Sequence, residues 1–210
     1  MSRIPVFDIG DTLMPSFRLQ NELMKDEFEE YGAEEVPEFD VNNFRIYTPS
    51  EVKEYMEKNG LNDTDPSRII EKYKQRERKY LEQHNVLSFL KKVSEEFGPI
   101  GFISDNTVEG KKWLEQLLKT YDIKYRGFVV SEQVGVEKPS PEIFEAFLDQ
   151  REEDAERFVY FGNNLDRDPA CKNAGLEFVL VKQFKVYGSS DERFNAVENL
   201  DFETVKEVVE

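Results

Sequence analysis

Short apolar runs alternate with amphipathic stretches over most of the chain. The runs contain few polar interruptions and therefore predict buried strands. They occupy residues 4–9, 100–103, 128–130, 158–161 and 178–181. Apolar residues at helical spacing fill the intervals and predict helices, for example at residues 108–121 and 140–147. Because strand and helix alternate, we expect an α/β fold with a parallel sheet and right-handed crossovers.

The segment between the first two predicted strands departs from this alternation, because it carries helix signals and few strand signals. A capping box with proline at the first helical position, Thr48-Pro49-Ser50-Glu51, begins one helix. Another helix is predicted from Asp65-Pro66 onward, and its run of charges is typical of a solvated face. We therefore predict an α/β core domain of residues 1–15 and 84–210, interrupted by a helical domain of residues 16–83.

The charge balance limits the partners of this protein. Its 210 residues include 28 lysines and arginines against 44 aspartates and glutamates, which gives a formal net charge of −16. Such a surface disfavours nucleic acids and anionic membranes, since both would repel it. It does not exclude a small anionic substrate, because a local pocket can oppose the field of the whole molecule.

Cysteine content and hydropathy bear on the cellular location. Cys171 is the only cysteine and cannot form an intrachain disulfide, so we expect a reducing compartment. The amino terminus does not have the pattern of a signal peptide, and no stretch is apolar enough to span a bilayer. These features predict a soluble, cytoplasmic protein without a nucleic-acid or membrane partner, either a monomer or a homodimer.

Chemically active side chains follow several of the predicted strands. Asp8 follows the first strand, Ser104 ends the second, and Lys138 precedes a later helix. The fourth strand leads into a cluster of Asn and Asp residues between Asn163 and Asp168. Ligands of open parallel sheets bind at the carboxyl ends of the strands, so we expect these side chains to share one crevice. The set suits attack by a carboxylate on an anionic electrophile, with hydroxyl and ammonium groups holding its oxygens.

These residues, in this order and spacing, resemble the motifs of the haloacid dehalogenase (HAD) superfamily over nearly the whole chain. Residues 8–13, Asp-Ile-Gly-Asp-Thr-Leu, are similar to a first motif in which Asp-x-Asp-Gly-Thr follows an apolar strand. Ser104 matches the second motif, residues 138–144 match the third, and residues 162–168 match the fourth. The resemblance implies a Rossmann-like core and a C1-type helical cap.

The resemblance also implies a catalytic role for each matching residue. Asp8 would be the nucleophile and would form an aspartyl-phosphate or an alkyl-ester intermediate. Ser104 and the backbone N–H of Asp105 would bind the transferring group, while Lys138 would neutralise negative charge. Thr12 would orient the loop that carries the nucleophile.

A metal and a set of cap residues follow from the same resemblance. Mg²⁺ would bind through Asp8, the Gly10 backbone carbonyl, Asn163 and Asp168. In the predicted cap, Arg18 and Arg45 are candidate contacts for a small anionic substrate. Both arginines lie beside a phenylalanine, and a dehalogenase of the family would need a cap arginine with an aromatic-lined pocket.

Two positions depart from the family pattern. Gly10 stands where the phosphatases of the family have a second Asp, which protonates the leaving oxygen and later activates water. Glycine cannot transfer a proton, and such a group typically contributes about 10²–10⁴-fold to the rate. Asn163 stands where the family has a metal-ligating Asp, so its neutral oxygen predicts weaker Mg²⁺ binding.

Three functions remain open at this point. The first is a Mg²⁺-dependent phosphatase of modest activity on a small phosphorylated metabolite, with a preference for leaving groups that need no protonation. The second is a 2-haloacid dehalogenase-type hydrolase, because halide leaves without a proton and Gly10 would then be natural. The third is a catalytically impaired protein that binds a metabolite or a partner.

Overall fold

The computed structural model describes residues 2–33, 48–149, 151–184 and 193–210. Within these residues it forms a six-stranded, all-parallel sheet in the order β3-β2-β1-β4-β5-β6. The strands are β1 (Ile4–Phe7), β2 (Ile100–Ser104), β3 (Tyr125–Val130), β4 (Phe158–Gly162), β5 (Glu177–Val181) and β6 (Asn195–Val197). The predicted α/β fold with a parallel sheet is confirmed.

Helices connect the strands and make up the described elements between β1 and β2. The α-helices described are α1 (Ser16–Glu30), α2 (Pro49–Lys58), α3 (Pro66–Gln83), α4 (Val86–Glu96), α5 (Val108–Thr120), α6 (Ser131–Val134), α7 (Glu142–Leu148) and α8 (Phe202–Val209). Ala155–Arg157 and Asp168–Ala174 form 3₁₀ turns. None of the helices described has the length and apolar character that crossing a membrane requires.

The central strands are apolar because both faces of the sheet are covered. Every residue of β1, β2 and β4 is buried, which explains why these strands appear as continuous apolar runs. Aromatic side chains fill the space beside them: Phe7 stacks on Phe161 at 5.3 Å, and Phe147 meets Phe158 edge-on at 5.5 Å. This packing gives the loops at the carboxyl ends of the strands a rigid base.

Two compact units divide the chain. One contains Met1–Met14 and Asn85–Glu210, and the other contains Pro15–His84. In the second unit α3 packs against both α1 and α2. Its core consists of apolar side chains from these three helices, namely Leu19, Leu23, Met24, Phe28, Val52, Met56, Ile69 and Tyr73.

Some element boundaries differ from those that the sequence predicts. The strand expected at residues 128–130 begins three residues earlier, at Tyr125, where half-buried positions hide its apolar pattern. The helix expected at residues 140–147 begins at Glu142, with Pro141 as its N-cap residue. Strand β6 is not predicted, because it has three residues at the sheet edge and none of them is buried.

Glu77 is a buried carboxyl group on α3 of the helical unit. The phenol of Tyr73, one turn earlier, hydrogen-bonds to Glu77 and also accepts a hydrogen bond from Gln20 Nε2 at 3.2 Å. Burial raises the pKa of Glu77 to about 7, although the Tyr73 hydrogen bond and the Lys74 charge oppose this shift. A charged run therefore contributes one acidic side chain to the interior.

The substitution Glu77→Gln is expected to stabilise the protein above neutral pH. The folded-state pKa of Glu77 is raised from 4.5. Its favourable contribution to the free energy of unfolding is therefore present below pH 4.5 and is lost as the pH rises through about 7. Glutamine keeps a hydrogen bond to Tyr73 without ionising. Urea unfolding at about pH 8 should give a variant more stable by about 1–3 kcal/mol, and at about pH 5 the gain should fall by more than half.

The matched control for this prediction is Glu71→Gln, because Glu71 lies exposed on the same helix. This variant should show no such pH dependence. A stability difference for Glu77→Gln that is the same at both pH values would contradict the prediction.

Candidate active site

The candidate site lies at the carboxyl ends of three neighbouring strands. Asp8 follows β1, and its N–H donates to the Phe161 carbonyl of β4 at 2.9 Å. Ser104 is the last residue of β2, and Asn163 comes directly after β4. Asp8, Ser104 and Asn163 are all buried. The parallel order of the strands thus gathers residues that are far apart in the sequence.

Lys138 is a buried ammonium group in the midst of acidic side chains. Its Nζ lies 3.1 Å from Asp8 Oδ2, 2.8 Å from Asp168 Oδ1 and 3.9 Å from Asp105 Oδ2. The Tyr160 hydroxyl lies 3.1 Å away and accepts a further hydrogen bond from it. Lys138 is thereby held beside the Asp8 carboxylate from several directions.

Asp168 accepts hydrogen bonds from protein groups at both carboxylate oxygens. Its Oδ1 accepts from Lys138, and its Oδ2 accepts the Asn164 N–H at 2.8 Å. The carboxylate lies so close to Gly162 that an added Cβ there would be 2.5 Å from Oδ2, so glycine is required at this position. Both oxygens are thus used to hold Lys138 and the loop after β4.

Asp105 lies at the edge of the same cluster. Its Oδ1 accepts a hydrogen bond from the backbone N–H of Lys138 at 3.0 Å, and its Oδ2 lies 3.1 Å from the Arg167 guanidinium. Arg167 Nε also donates to the Lys138 carbonyl at 2.8 Å. The Asp105 side chain therefore contacts both the Lys138 backbone and the arginine that is bonded to it.

The electrostatic balance of the site is negative. The side chains of Asp8, Asp105 and Asp168 face the two cations Lys138 and Arg167. Burial raises the pKa of Asp8 to about 7, with further contributions from Asp168 and Asp105, while Lys138 acts in the opposite direction. The same carboxylates raise the pKa of Lys138 and outweigh its own burial, so the lysine stays charged. A cation placed here would find an excess of carboxylate.

Thr12 and Asn163 form a buried pair beside Asp8. The Thr12 hydroxyl donates to Asn163 Oδ1 at 3.1 Å. The other end of the amide, Asn163 Nδ2, is buried and has no hydrogen-bond partner among the residues described. An amide rotated by 180° would keep its bond to Thr12, because a hydroxyl both donates and accepts. The rotation would place the amide oxygen of Asn163 where the unpartnered Nδ2 now lies.

The donor set for a metal ion is small. Among the residues described, no group of three or more His, Cys, Asp or Glu side chains is arranged to hold an ion. The predicted oxygen donors are the Asp8 carboxylate, the Gly10 carbonyl, the rotatable Asn163 amide and the Asp168 carboxylate. Mg²⁺ is commonly held by one or two carboxylates, with waters and substrate phosphate completing the octahedron. The residues present therefore fit a weakly held Mg²⁺.

Comparison with known proteins establishes the family. A family model described as haloacid dehalogenase-like hydrolase matches residues 5–181. The chain belongs to the haloacid dehalogenase-like hydrolases. It is 24% identical to the glyceraldehyde 3-phosphate phosphatase of Methanopyrus kandleri in an alignment of 229 residues, gaps included. The alignment covers 100% of this chain and 97% of that protein.

Solved structures show the same fold. The haloacid dehalogenase-like hydrolase YfnB from Bacillus subtilis, solved with magnesium, has a TM-score of 0.64 and 13% identity, covering 99% of this chain and 98% of that one. CbbY from Rhodobacter sphaeroides, solved with phosphate, has a TM-score of 0.65 and 14% identity, covering 96% and 95%. At these identities the likeness establishes the fold and no more.

The loop between β1 and α1 contains Gly10 and Asp11, the two residues predicted to stand in place of the Asp and Gly of the family's first motif. Asp11 is buried and has a φ of 55°, the left-handed region that favours glycine. Its N–H donates to the Met14 carbonyl at 2.7 Å, so the loop forms a tight turn.

The predicted cap arginines are not fixed by the structure. Arg18 lies on α1, where its side chain is 59% exposed and 3.8 Å from Glu22. Arg45 lies outside the residues that the structure describes. Neither observation assigns a contact with a substrate.

Tyr160 and Arg167 belong to this haloacid dehalogenase-like site although the sequence pattern does not single them out. Tyr160 appears as one more apolar residue of a strand, and its hydroxyl has no sequence signature. Arg167 lies within the Asn and Asp cluster that was expected to hold a cation. The lone arginine in an acidic run is the one signal that points to a structural ion pair.

Proposed function

We propose that this protein is a phosphatase that uses Asp8 as its nucleophile and acts on a small phosphorylated metabolite. The observation that carries the proposal is the Lys138 ammonium 3.1 Å from the buried Asp8 carboxylate, at the strand end beside Ser104. A charged lysine there offsets the repulsion between a carboxylate and an anionic phosphate. The similarity to the glyceraldehyde 3-phosphate phosphatase of Methanopyrus kandleri supports this class of reaction.

The proposed reaction has two steps. In the first, an Asp8 oxygen forms a bond to phosphorus while the bond from phosphorus to the leaving-group oxygen breaks. The Ser104 hydroxyl and Lys138 hold the non-bridging oxygens of the phosphoryl group. In the second step, water attacks the phosphorus of the aspartyl-phosphate, which releases inorganic phosphate and restores Asp8.

Gly10 sets the preferred substrates under this proposal. Without a carboxyl group at that position, the leaving group departs without a proton from residue 10. Acyl phosphates and aryl phosphates tolerate this, since their leaving groups are stable anions. Simple alkyl phosphates are expected to react slowly.

We propose that Mg²⁺ binds through Asp8, the Gly10 carbonyl and Asn163 after rotation of the amide. When bound, the ion would neutralise charge on the phosphate and on Asp8. Thr12 would keep the amide in either orientation through its hydroxyl. Asp168 is the fourth proposed ligand, either directly or through water; its two oxygens also accept hydrogen bonds from Lys138 and the Asn164 N–H.

The helical unit Pro15–His84 is the proposed source of substrate specificity. Arg18 and Arg45 remain candidate contacts with the substrate in this proposal. Substrate preference should change when these arginines are replaced, whereas the chemistry at Asp8 should not.

The experiment that tests the function is a release assay on a substrate panel. The wild-type protein is incubated with acetyl phosphate, p-nitrophenyl phosphate and an alkyl phosphate, with and without Mg²⁺, and with 2-chloropropionate. Mg²⁺-dependent release of phosphate, fastest from the first two compounds, would support the proposal. Release of chloride without phosphate would identify a dehalogenase, which Gly10 and Asn163 also suit. Release of neither would indicate a binding protein.

Tyr160 is proposed as a positioning residue for Lys138. Its hydroxyl donates a hydrogen bond to the Ile103 carbonyl at 3.2 Å and accepts one from the Lys138 ammonium at 3.1 Å. Because Ile103 precedes Ser104, one hydroxyl links the strand that carries the serine to the lysine. Removing it would take one hydrogen bond from the Lys138 ammonium and one from the Ile103 carbonyl.

The substitution Tyr160→Phe is expected to lower kcat/KM by about tenfold, the size of one hydrogen bond to a charged group. Steady-state kinetics with p-nitrophenyl phosphate would measure this, and urea unfolding would give the accompanying loss of stability. Tyr125→Phe is the matched control, since it removes a phenol hydroxyl that donates to Glu115 in the same unit. Equal kinetic effects of the two substitutions would count against the positioning role.

A further inference from the structure

A cavity of about 650 Å³ lies near the amino ends of strands β3 and β4, whereas Asp8 lies at the carboxyl ends of the strands. It is lined by Arg126, Arg151, Glu152, Glu153, Asp154 and Arg157. Arg126 is near the start of β3, and residues 151–157 lead into the start of β4. Asp8 lies beyond the carboxyl end of β1, so the length of a strand, roughly 16 Å, separates the two places. The cavity therefore does not belong to the candidate active site.

Arg126 is fixed in the wall of this cavity. Its Nε donates to the Pro99 carbonyl at 2.7 Å, and its side chain forms an ion pair with Glu153. Only 21% of the side chain is exposed. The guanidinium thus has a defined direction before any ligand arrives.

Arg151 is fixed by packing in the same wall. Its guanidinium lies over the Phe147 ring, with Cζ 4.9 Å from the ring centroid. It also lies directly against Gly127, where an added Cβ would be 1.9 Å from Nη2. A glycine is therefore needed at residue 127 for the arginine to occupy this place.

The guanidinium groups of Arg126 and Arg151 repel each other. Burial and the Arg126 charge lower the pKa of Arg151, and Glu153 is the carboxylate that opposes this shift. Glu152 and Asp154 are exposed, so solvent screens their charges. Arg157 adds a third guanidinium, which donates to the neutral Ser2 carbonyl at 3.2 Å. Like charges held together and partly desolvated are a frequent mark of a binding site.

We propose that this cavity binds a small, multiply charged oxyanion that carries phosphate or carboxylate groups. Guanidinium groups bind both kinds of oxyanion through paired N–H donors, and arginines held in place lose little entropy on binding. The volume lies within the range of small-ligand sites, and its charged lining suits a polar ligand over an apolar one. This site is independent of the proposed phosphatase function.

The test is calorimetric titration of the full chain, without metal ions and at low ionic strength, using pyrophosphate and citrate as probes. The two probes distinguish phosphate from carboxylate as the preferred source of the charge. We expect saturable binding of at least one probe, weakened by added salt. Arg151→Gln should weaken it by at least about tenfold. Lys112→Gln, which removes a positive charge from an exposed position of the same unit, should not.

A second variant changes the affinity in the opposite direction. Glu153→Gln removes the carboxylate that faces both arginines and should tighten binding several-fold. Release of phosphate from p-nitrophenyl phosphate by Arg151→Gln should match the wild type, since Arg151 is remote from Asp8, and thermal unfolding would measure any loss of packing on Phe147. The proposal is overturned if neither probe binds, or if wild type, Arg151→Gln and Glu153→Gln give the same isotherm. A failure of the phosphatase assay alone leaves these titrations interpretable.

Discussion

Asp8→Asn is expected to reduce phosphate release by about 10³-fold or more, because an amide cannot form the aspartyl-phosphate. Asparagine has the same size and can still accept the N–H groups around it, so the sheet and the Lys138 cluster should persist. The measurement is initial rates with acetyl phosphate and p-nitrophenyl phosphate at saturating Mg²⁺. Thermal unfolding of the same samples would show that the fold is retained.

The matched control for Asp8→Asn is Asp166→Asn. Asp166 is an exposed aspartate in the loop after β4, so this substitution makes the same chemical change outside the site. Its rate should equal that of the wild type. If Asp8→Asn kept more than a tenth of the wild-type rate, Asp8 could not be the nucleophile.

Exchanging two neighbouring residues, Gly10→Asp with Asp11→Gly, is expected to raise the rate on alkyl phosphates by about 10²-fold or more. Under the proposed function, the double variant places a carboxyl group at the position predicted for the general acid. It also places glycine at the backbone position with φ of 55°, which should relieve about 1 kcal/mol of strain. On p-nitrophenyl phosphate the gain should be much smaller, because this leaving group needs little protonation.

The single substitution Asp11→Gly is the control for the exchange. It relieves the backbone at residue 11 without adding a proton donor, so the rate on alkyl phosphates should stay unchanged. Rates compared across leaving groups of different basicity would separate the two effects. An equal gain on all substrates would show that loop geometry, and not proton transfer, limits the wild-type enzyme.

Several features of the fold could be predicted because they depend on local pattern. The buried strands β1, β2, β4 and β5 appear as apolar runs, since a parallel sheet covered on both faces demands apolar residues throughout. The family could be recognised for the same reason: its motif residues sit at strand ends, and strand ends are visible in the sequence. Strand β6 lacked this signal because it is short and lies at the edge.

The contacts within the candidate site could not be predicted in the same way. Tyr160 meets Lys138 and Ile103, which lie 22 and 57 positions away, and no local pattern reports such a meeting. Asp168 shows the same limit. Its position in the fourth motif predicts a metal ligand, and only the structure shows that its oxygens also accept hydrogen bonds from Lys138 and Asn164.

By itself, the sequence determined the α/β class, the family and which residues stand at the strand ends, because periodicity and motif order are properties of the chain. Only the tertiary structure decided how those residues share their hydrogen bonds. Lys138 has three N–H donors, and the positions of Asp8, Asp168 and Tyr160 around it depend on the register of separate strands. The arginine-lined cavity is also a product of packing, since Gly127 and Phe147 bring Arg151 to a place that its sequence position does not indicate.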